Sequence, residues 1–134
     1  MSELREPAEV YVAYNDAENR HDLPAIEALV AVDLQVEVNG RRAVASAEED
    51  RAAMAALFEA YPNYRRELLE VLVDGDRATA RWRMLGTPAV EGVPVLDVPG
   101  VSVVKVVNGQ LAQAFLYYDG AALDRVLRSG GASS

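Results

Sequence analysis

The stretch from Asp74 to Thr87, Asp-Gly-Asp-Arg-Ala-Thr-Ala-Arg-Trp-Arg-Met-Leu-Gly-Thr, leaves the chain few ways to fold. Asp74-Gly75-Asp76 reads as a tight turn, because Asp and Gly accept the positive φ angles that two-residue hairpin loops demand. Beyond it the sequence alternates with period two. Ala78, Ala80, Trp82 and Met84 fall on one face, and Arg77, Arg81 and Arg83 on the other. Such a strand has a wet face and a dry one, and the dry face looks into a core or into a pocket cut into that core.

At 134 residues the chain is read as one domain, long enough to bury most of its apolar surface without metal or disulfide support. There is no cysteine, which excludes disulfides, thiol catalysis and thiolate metal sites, and one histidine, His21, cannot build a zinc site alone. No metal and no cofactor are expected. The net charge of −8, with no basic cluster denser than Arg65-Arg66 or the strand arginines, argues against nucleic acid and anionic membrane partners. No run approaches the roughly 18 apolar residues of a membrane span, and Met1 to Pro7 holds no signal-peptide core, so a cytoplasmic protein is expected.

In chain order, Pro7 suits a first helical turn, and Val10, Ala13, Tyr14 and Ala17 form one stripe of a helix over 7–19. Asp22 is a good N-cap for a second helix that buries Ile26, Leu29 and Val30; His21, beside it in a polar turn, is read as surface structure rather than catalyst. Leu34, Val36 and Val38 point one way along a strand that ends at Asn39-Gly40, and the residues after it are too polar to pair at once. Ser46-Ala47-Glu48-Glu49 is a capping box opening a helix with Met54, Leu57, Phe58 and Tyr61 on one stripe, stopped by Pro62-Asn63. A meander follows: strands Leu68–Val73, Arg77–Leu85, Val101–Val107 and Leu111–Asp119, the last after the Asn108-Gly109 turn. Thr87 to Gly100, punctuated by Pro88, Pro94 and Pro99, reads as a loop with room for a short edge strand. Ala121 to Leu127 reads as a short last helix and 129–134 as a disordered tail, leaving a single domain over 1–128. Three helices followed by one-sided antiparallel strands give an α+β layer architecture, and where a curved sheet wraps helices the open end is a natural small-molecule pocket.

Several strings, in this order and spacing, resemble the SnoaL-like polyketide cyclases of the ketosteroid isomerase and nuclear transport factor 2 superfamily. They are Tyr14 to Asp22 running into Leu23-Pro24-Ala25-Ile26, Phe58 to Pro62, Asp74-Gly75-Asp76 through Arg81-Trp82 to Gly86-Thr87, and Asn108-Gly109 to Phe115-Leu116-Tyr117-Tyr118-Asp119. The resemblance spans residues 8–128 and implies a cone-shaped α+β barrel, three N-terminal helices packed on a curved, mainly antiparallel sheet. It also implies a cofactor-independent cyclase that folds a small hydrophobic, polyketide-type substrate for ring closure, and a homodimer. Asp119 stands where such cyclases carry their acid/base, and Phe115 and Tyr117 share its strand face; the same Asp119 fits equally as N-cap of the helix from Ala121. Tyr14, eight residues before Asp22, matches the spacing of the oxyanion-binding tyrosine of ketosteroid isomerases, although a core tyrosine between helix and sheet is the favoured reading.

Other family features are missing. The isomerase base falls at Val38, its second donor near Val101 or Ser102, and the histidine many relatives carry after Gly-Thr is Pro88. The inward Asp-Arg-Asp relay of limonene-type epoxide hydrolases finds no partner, since Arg81 and Arg83 face away from Trp82. The expected pocket is therefore apolar, lined by Tyr14, Met54, Phe58, Tyr64, Trp82, Met84, Phe115 and Tyr117. Such a pocket suits a templated, even pericyclic, closure, with Asp119-assisted proton transfer as the other mode. An isomerase-like enzyme or a non-catalytic binding module of the same fold is the alternative.

Overall fold

A computed structural model describes residues 6–120. The helix expected over 121–127 and the tail over 129–134 lie outside the described residues. The elements run α1 Pro7–Asn19, α2 Leu23–Ala28, β1 Val30–Val38, β2 Arg41–Val44, α3 Ala47–Ala60, β3 Arg65–Asp74, β4 Arg77–Gly86, β5 Leu96–Val107 and β6 Gln110–Tyr118. The six strands form one sheet in the order β2-β1-β6-β5-β4-β3, antiparallel throughout except where β6 returns parallel to β1. This is the expected α+β cone: three helices on a curved, mainly antiparallel sheet, with α1 lying across β3, β4, β5 and β6.

Local chemistry sets the helix ends. α1 begins at Pro7 and closes in a Schellman arrangement, with His21 N–H donating to the Glu18 carbonyl at 2.9 Å and Asp22 N–H to the Ala17 carbonyl at 3.0 Å. His21 takes the left-handed position at φ 56°. It is not a surface residue as expected: its ring is half-buried, stacks on Phe58 at 4.1 Å, and its Nε2 lies 2.8 Å from the Tyr64 carbonyl oxygen. Asp22 caps α2 through Ala25 N–H at 3.1 Å, and Ser46 caps α3 through Glu49 N–H at 3.1 Å, both as the sequence indicates.

The strands differ from expectation in extent. Val30, read as helical, opens β1 and is buried there. Arg41–Val44 does pair with β1 at once, because Asn39 at φ 52° and Gly40 at φ 84° close a two-residue turn. Its polarity fits an edge strand exposed on one side. β3 starts at Arg65, three residues before the expected Leu68, and β5 starts at Leu96 inside the proline-rich segment. Pro99 is tolerated because β6 pairs with β5 only from Gly100 onward, so β5 at Pro99 has a single neighbour, Arg83 of β4. The rest of the segment is pinned to α3's end by Tyr61 Oη–H donating to the Pro94 carbonyl at 2.9 Å and Ala89 N–H to the Ala60 carbonyl at 2.9 Å.

The two faces of β4 sort as its alternation predicts. Ala78, Ala80, Trp82 and Met84 are buried and Arg77, Arg81 and Arg83 exposed, with Arg81 meeting Glu70 across the strand pair and Arg83 bidentate to Asp97. Trp82 fills the centre of the inner face over Gly100, where a Cβ would stand 2.6 Å from its Cζ3 and 2.9 Å from the Tyr118 Cβ. Only glycine leaves the indole that room. Tyr11, Tyr61, Tyr64, Ile26 and Leu34 complete the buried core around it.

Candidate active site

The core interior is not apolar. One face of α1 carries Tyr11, Tyr14, Asn15 and Glu18, spaced three and four apart so that all four turn toward the sheet, and each is buried. α3 presents Asp50 on the same stripe as Met54 and Leu57, and β3 presents Arg66 in the inward register position next to Leu68. Arg66 is 5% exposed, Glu18 1% and Asp50 6%.

These side chains form one network. Arg66 Nη2 lies 2.9 Å from Glu18 Oε1, while Tyr64 Oη–H donates to Glu18 Oε2 at 2.6 Å. The Nη2–Oε1 approach is an ion pair without hydrogen-bond alignment, which leaves both atoms without a hydrogen-bond partner among the described residues. Arg66 Nε–H donates to Asn15 Oδ1 at 2.8 Å, and the Arg66 backbone is clasped by Asn15 and Asn19 side chains. Its guanidinium carbon sits 5.3 Å from the Tyr11 ring centre, 5.9 Å from that of Tyr14 and 5.4 Å from that of Trp82. Tyr14 Oη–H donates to Asp50 Oδ2 at 3.3 Å. Ser102 Oγ ties the far side together, accepting from Trp82 Nε1–H at 2.9 Å and lying 3.3 Å from Tyr11 Oη.

The electrostatics follow from one cation facing two carboxylates away from water. Burial, reinforced by the negative charge of Glu18, pushes Asp50 up from the ordinary aspartate value to about 7, against the opposing pull of the Tyr14 hydrogen bond and Arg66. Burial also raises Tyr14 and Tyr64 well above the usual phenol range. Arg66 is raised by Glu18 against the cost of its burial, and so stays charged. A carboxyl that exchanges its proton near neutral pH, hydrogen-bonded by a phenol beside a fixed positive charge, is equipped for general acid/base chemistry. Among the described residues no three His, Asp or Glu side chains are grouped to hold a metal ion.

A SnoaL-like domain profile matches residues 11–114. The chain belongs to the SnoaL-like domain family. No curated protein matches the sequence, but solved structures do. A proposed polyketide cyclase from Sinorhizobium meliloti is 26% identical, with 81% of this chain and 93% of that one covered at a TM-score of 0.67. A proposed SnoaL-like polyketide cyclase from Jannaschia sp. CCS1 is 22% identical, with 94% and 97% covered and a TM-score of 0.74. A nuclear transport factor 2-like protein of unknown function from Cytophaga hutchinsonii is 11% identical, with 92% and 99% covered and a TM-score of 0.72.

In this SnoaL-like domain the residues singled out from sequence divide into two groups. Tyr14, Tyr64, Trp82 and Met84 are buried together on the inner side, with Met54 and Phe58 half-buried on α3 beside them. Phe115, Tyr117 and Asp119 are not with them. The inward residues of β6 are Ala114, Leu116 and Tyr118, paired with Val104, Ser102 and Gly100, so Phe115 and Tyr117 lie on the outer face. Tyr117 is 51% exposed there and Asp119, just past the strand, is exposed too. The apolar mouth expected around Asp119 is therefore absent among the described residues. On the inner side Tyr118, not Tyr117, meets Trp82, their rings 6.0 Å apart.

Arg81 and Arg83 do face away from Trp82, but the expected apolar lining is corrected by Arg66, which β3 turns inward. The signals that reveal the buried cluster were present: Tyr11, Tyr14 and Glu18 at i, i+3 and i+7, Asp50, Met54 and Leu57 at i, i+4 and i+7, and Arg66 two before Leu68. Two clefts formed by described residues lie elsewhere, one of about 240 Å³ beside Arg65, Leu85 and Asp97 and one on the solvent side of α1. No helix among the described residues is long and apolar enough to cross a membrane.

Proposed function

We propose that this SnoaL-like domain is a cofactor-independent cyclase for a polyketide-type substrate, working by proton transfer at Asp50 with Tyr14 rather than at Asp119. The observation that carries this reading is the buried Tyr14–Asp50 hydrogen bond, in which Asp50 titrates near neutrality. As the carboxylate, Asp50 removes a proton from a carbon flanked by carbonyls. Tyr14 Oη–H and the Arg66 charge stabilise the enolate oxygen that develops. The enolate carbon then attacks a second carbonyl of the same molecule; a C–C bond forms, the C=O π pair becomes an alkoxide, and the alkoxide takes the proton back from Asp50. The product is an isomer of the substrate. Trp82, Tyr64 and Met84 back the centre, and Met54 and Phe58 pack half-buried on its α3 side. A purely templated closure is less well supported, because the inner face carries Arg66, Glu18, Asp50 and Ser102 among its apolar residues.

The test is incubation of linear poly-β-carbonyl compounds with the protein and with Asp50→Asn, read by mass spectrometry and NMR. A cyclised isomer of unchanged mass that forms with the wild type and is lost with Asp50→Asn supports the reading. A compound that raises the melting temperature without conversion overturns it in favour of a binding module.

For the outer face we propose a second copy of this chain. Leu72, Val103, Phe115 and Tyr117 are apolar residues of this face, beside the Glu70–Arg81 and Asp97–Arg83 pairs, and a two-fold mate would cover them. Light scattering of the wild type and Tyr117→Glu tests it: dimer and monomer respectively are expected, and a wild-type monomer at micromolar concentration overturns it.

A further inference from the structure

We propose that Glu18 is a positioning residue for the Asp50 chemistry: its ion pair with Arg66 keeps that guanidinium from serving as counter-ion to Asp50, so that the cluster's one retained proton sits on Asp50. The inference rests on the proposed role of Asp50, but its readout does not.

The geometry is specific. Glu18 has both oxygens occupied, one by Arg66 Nη2 at 2.9 Å and the other by Tyr64 Oη–H at 2.6 Å, so its charge is supported from two elements. The guanidinium is anchored by Asn15 at Nε and boxed by the rings of Tyr11, Tyr14 and Trp82, which fixes it on the α1 side. Asp50, arriving from α3, receives a hydrogen bond from Tyr14 alone among the described side chains. The same helix that supplies that donor supplies, one turn on at Glu18, the competitor for Arg66.

Charge counting gives the consequence. One cation and two carboxylates cannot all be ionised cheaply in a dry interior, so one carboxylate keeps a proton, and it is the one without the cation. A buried ion pair is also a poor way to gain stability, since apolar side chains of similar size do as well. Its value here lies in where it leaves the proton. The other ionisable groups near Asp50 do not compete: Glu27 of α2 is taken by Arg51 at the surface, Arg41 and Arg42 of β2 are exposed, and Glu48 and Glu49 of α3 itself face solvent. Tyr11 is engaged with Ser102.

The experiment is a carbon-detected NMR titration of the Asp50 side-chain carboxyl in the wild type, Glu18→Gln and Arg66→Gln. In the wild type Asp50 is expected to hold its proton to near neutral pH; an Asp50 that ionises in the ordinary aspartate range overturns the proposal, and this arm needs no variant to fold. In Glu18→Gln, Arg66 is left with Asp50 as its only buried anion among the described residues, and the Asp50 midpoint is expected to fall by about one unit or more. In Arg66→Gln it is expected to rise. Opposite signs from the two halves of one ion pair are the signature; a midpoint that stays put in a folded variant, or moves the same way in both, overturns the proposal. Where turnover is found, its pH profile should move with the Asp50 midpoint. If the midpoint moves as expected while turnover does not follow, the Asp50 mechanism fails and the role of Glu18 stands.

Discussion

Replacing Asp50 with Asn should change not only chemistry but the pH dependence of stability, in a direction set by the structure. Asp50 holds its proton up to about pH 7 in the fold, against 3.8 for an ordinary aspartate. Between those values the folded protein keeps a proton that the unfolded chain has released, so stability falls as pH rises through the window and levels off above it. About three units at about 1.4 kcal/mol each amount to a penalty on the order of 4 kcal/mol above neutrality, of which about 3 kcal/mol develops between pH ~4.5 and pH ~8. Asn keeps the size of the side chain and an oxygen acceptor for Tyr14 Oη–H, but it has no charge to bury. Urea unfolding of wild type and Asp50→Asn at those two pH values isolates the group, because every other titration occurs in both proteins. The stability advantage of the variant should grow by about 3 kcal/mol from the acid to the basic condition. An advantage of the same size at both pH values would refute the reasoning, since it would place Asp50 in contact with water.

Other consequences follow from contacts. Gly100→Ala should cost about 1–3 kcal/mol and shift the fluorescence of Trp82, the sole tryptophan, because the added methyl collides with its ring; unchanged emission would mean that the indole does not lie over this strand. Asn39→Ala should cost about 2 kcal/mol in chemical denaturation, losing both a tolerated left-handed residue and the paired hydrogen bonds to the Tyr118 backbone at 2.8 and 3.1 Å. Ser46→Ala should cost about 1 kcal/mol by removal of the α3 cap, with hydrogen exchange rising first in residues 47–50.

Much of the fold is legible where one residue type decides. Pro7, Asp22 and Ser46 mark helix starts that the structure keeps, and the alternation in β4 sorts its faces correctly because Arg and Trp leave no doubt about which side is dry. β6 offers no such contrast: Phe115 and Tyr117 are as apolar as Leu116 and Tyr118, so period two alone does not say which pair faces inward. The β1–β6 parallel pairing is non-local and leaves no short-range mark in sequence. The candidate site was hidden for a related reason. Its charged members read individually as ordinary surface: Glu18 near a helix end, Asp50 among the acids that favour a first helical turn, and Arg66 beside exposed Arg65. Only their shared positions on buried stripes, in three separate elements, join them. The family resemblance identified the fold, but it drew attention to Asp119, which this chain exposes.

The central claim is that proton transfer belongs to the buried Asp50–Tyr14 pair. The most direct test compares conversion rates of a cyclising poly-β-carbonyl substrate by wild type, Asp50→Asn and Asp119→Asn at one pH. A loss of about 100-fold or more in Asp50→Asn, with Asp119→Asn within a few-fold of wild type, is the expected result. The reverse order, with Asp50→Asn active and Asp119→Asn inactive, would contradict the account and move the chemistry to the outer end of β6.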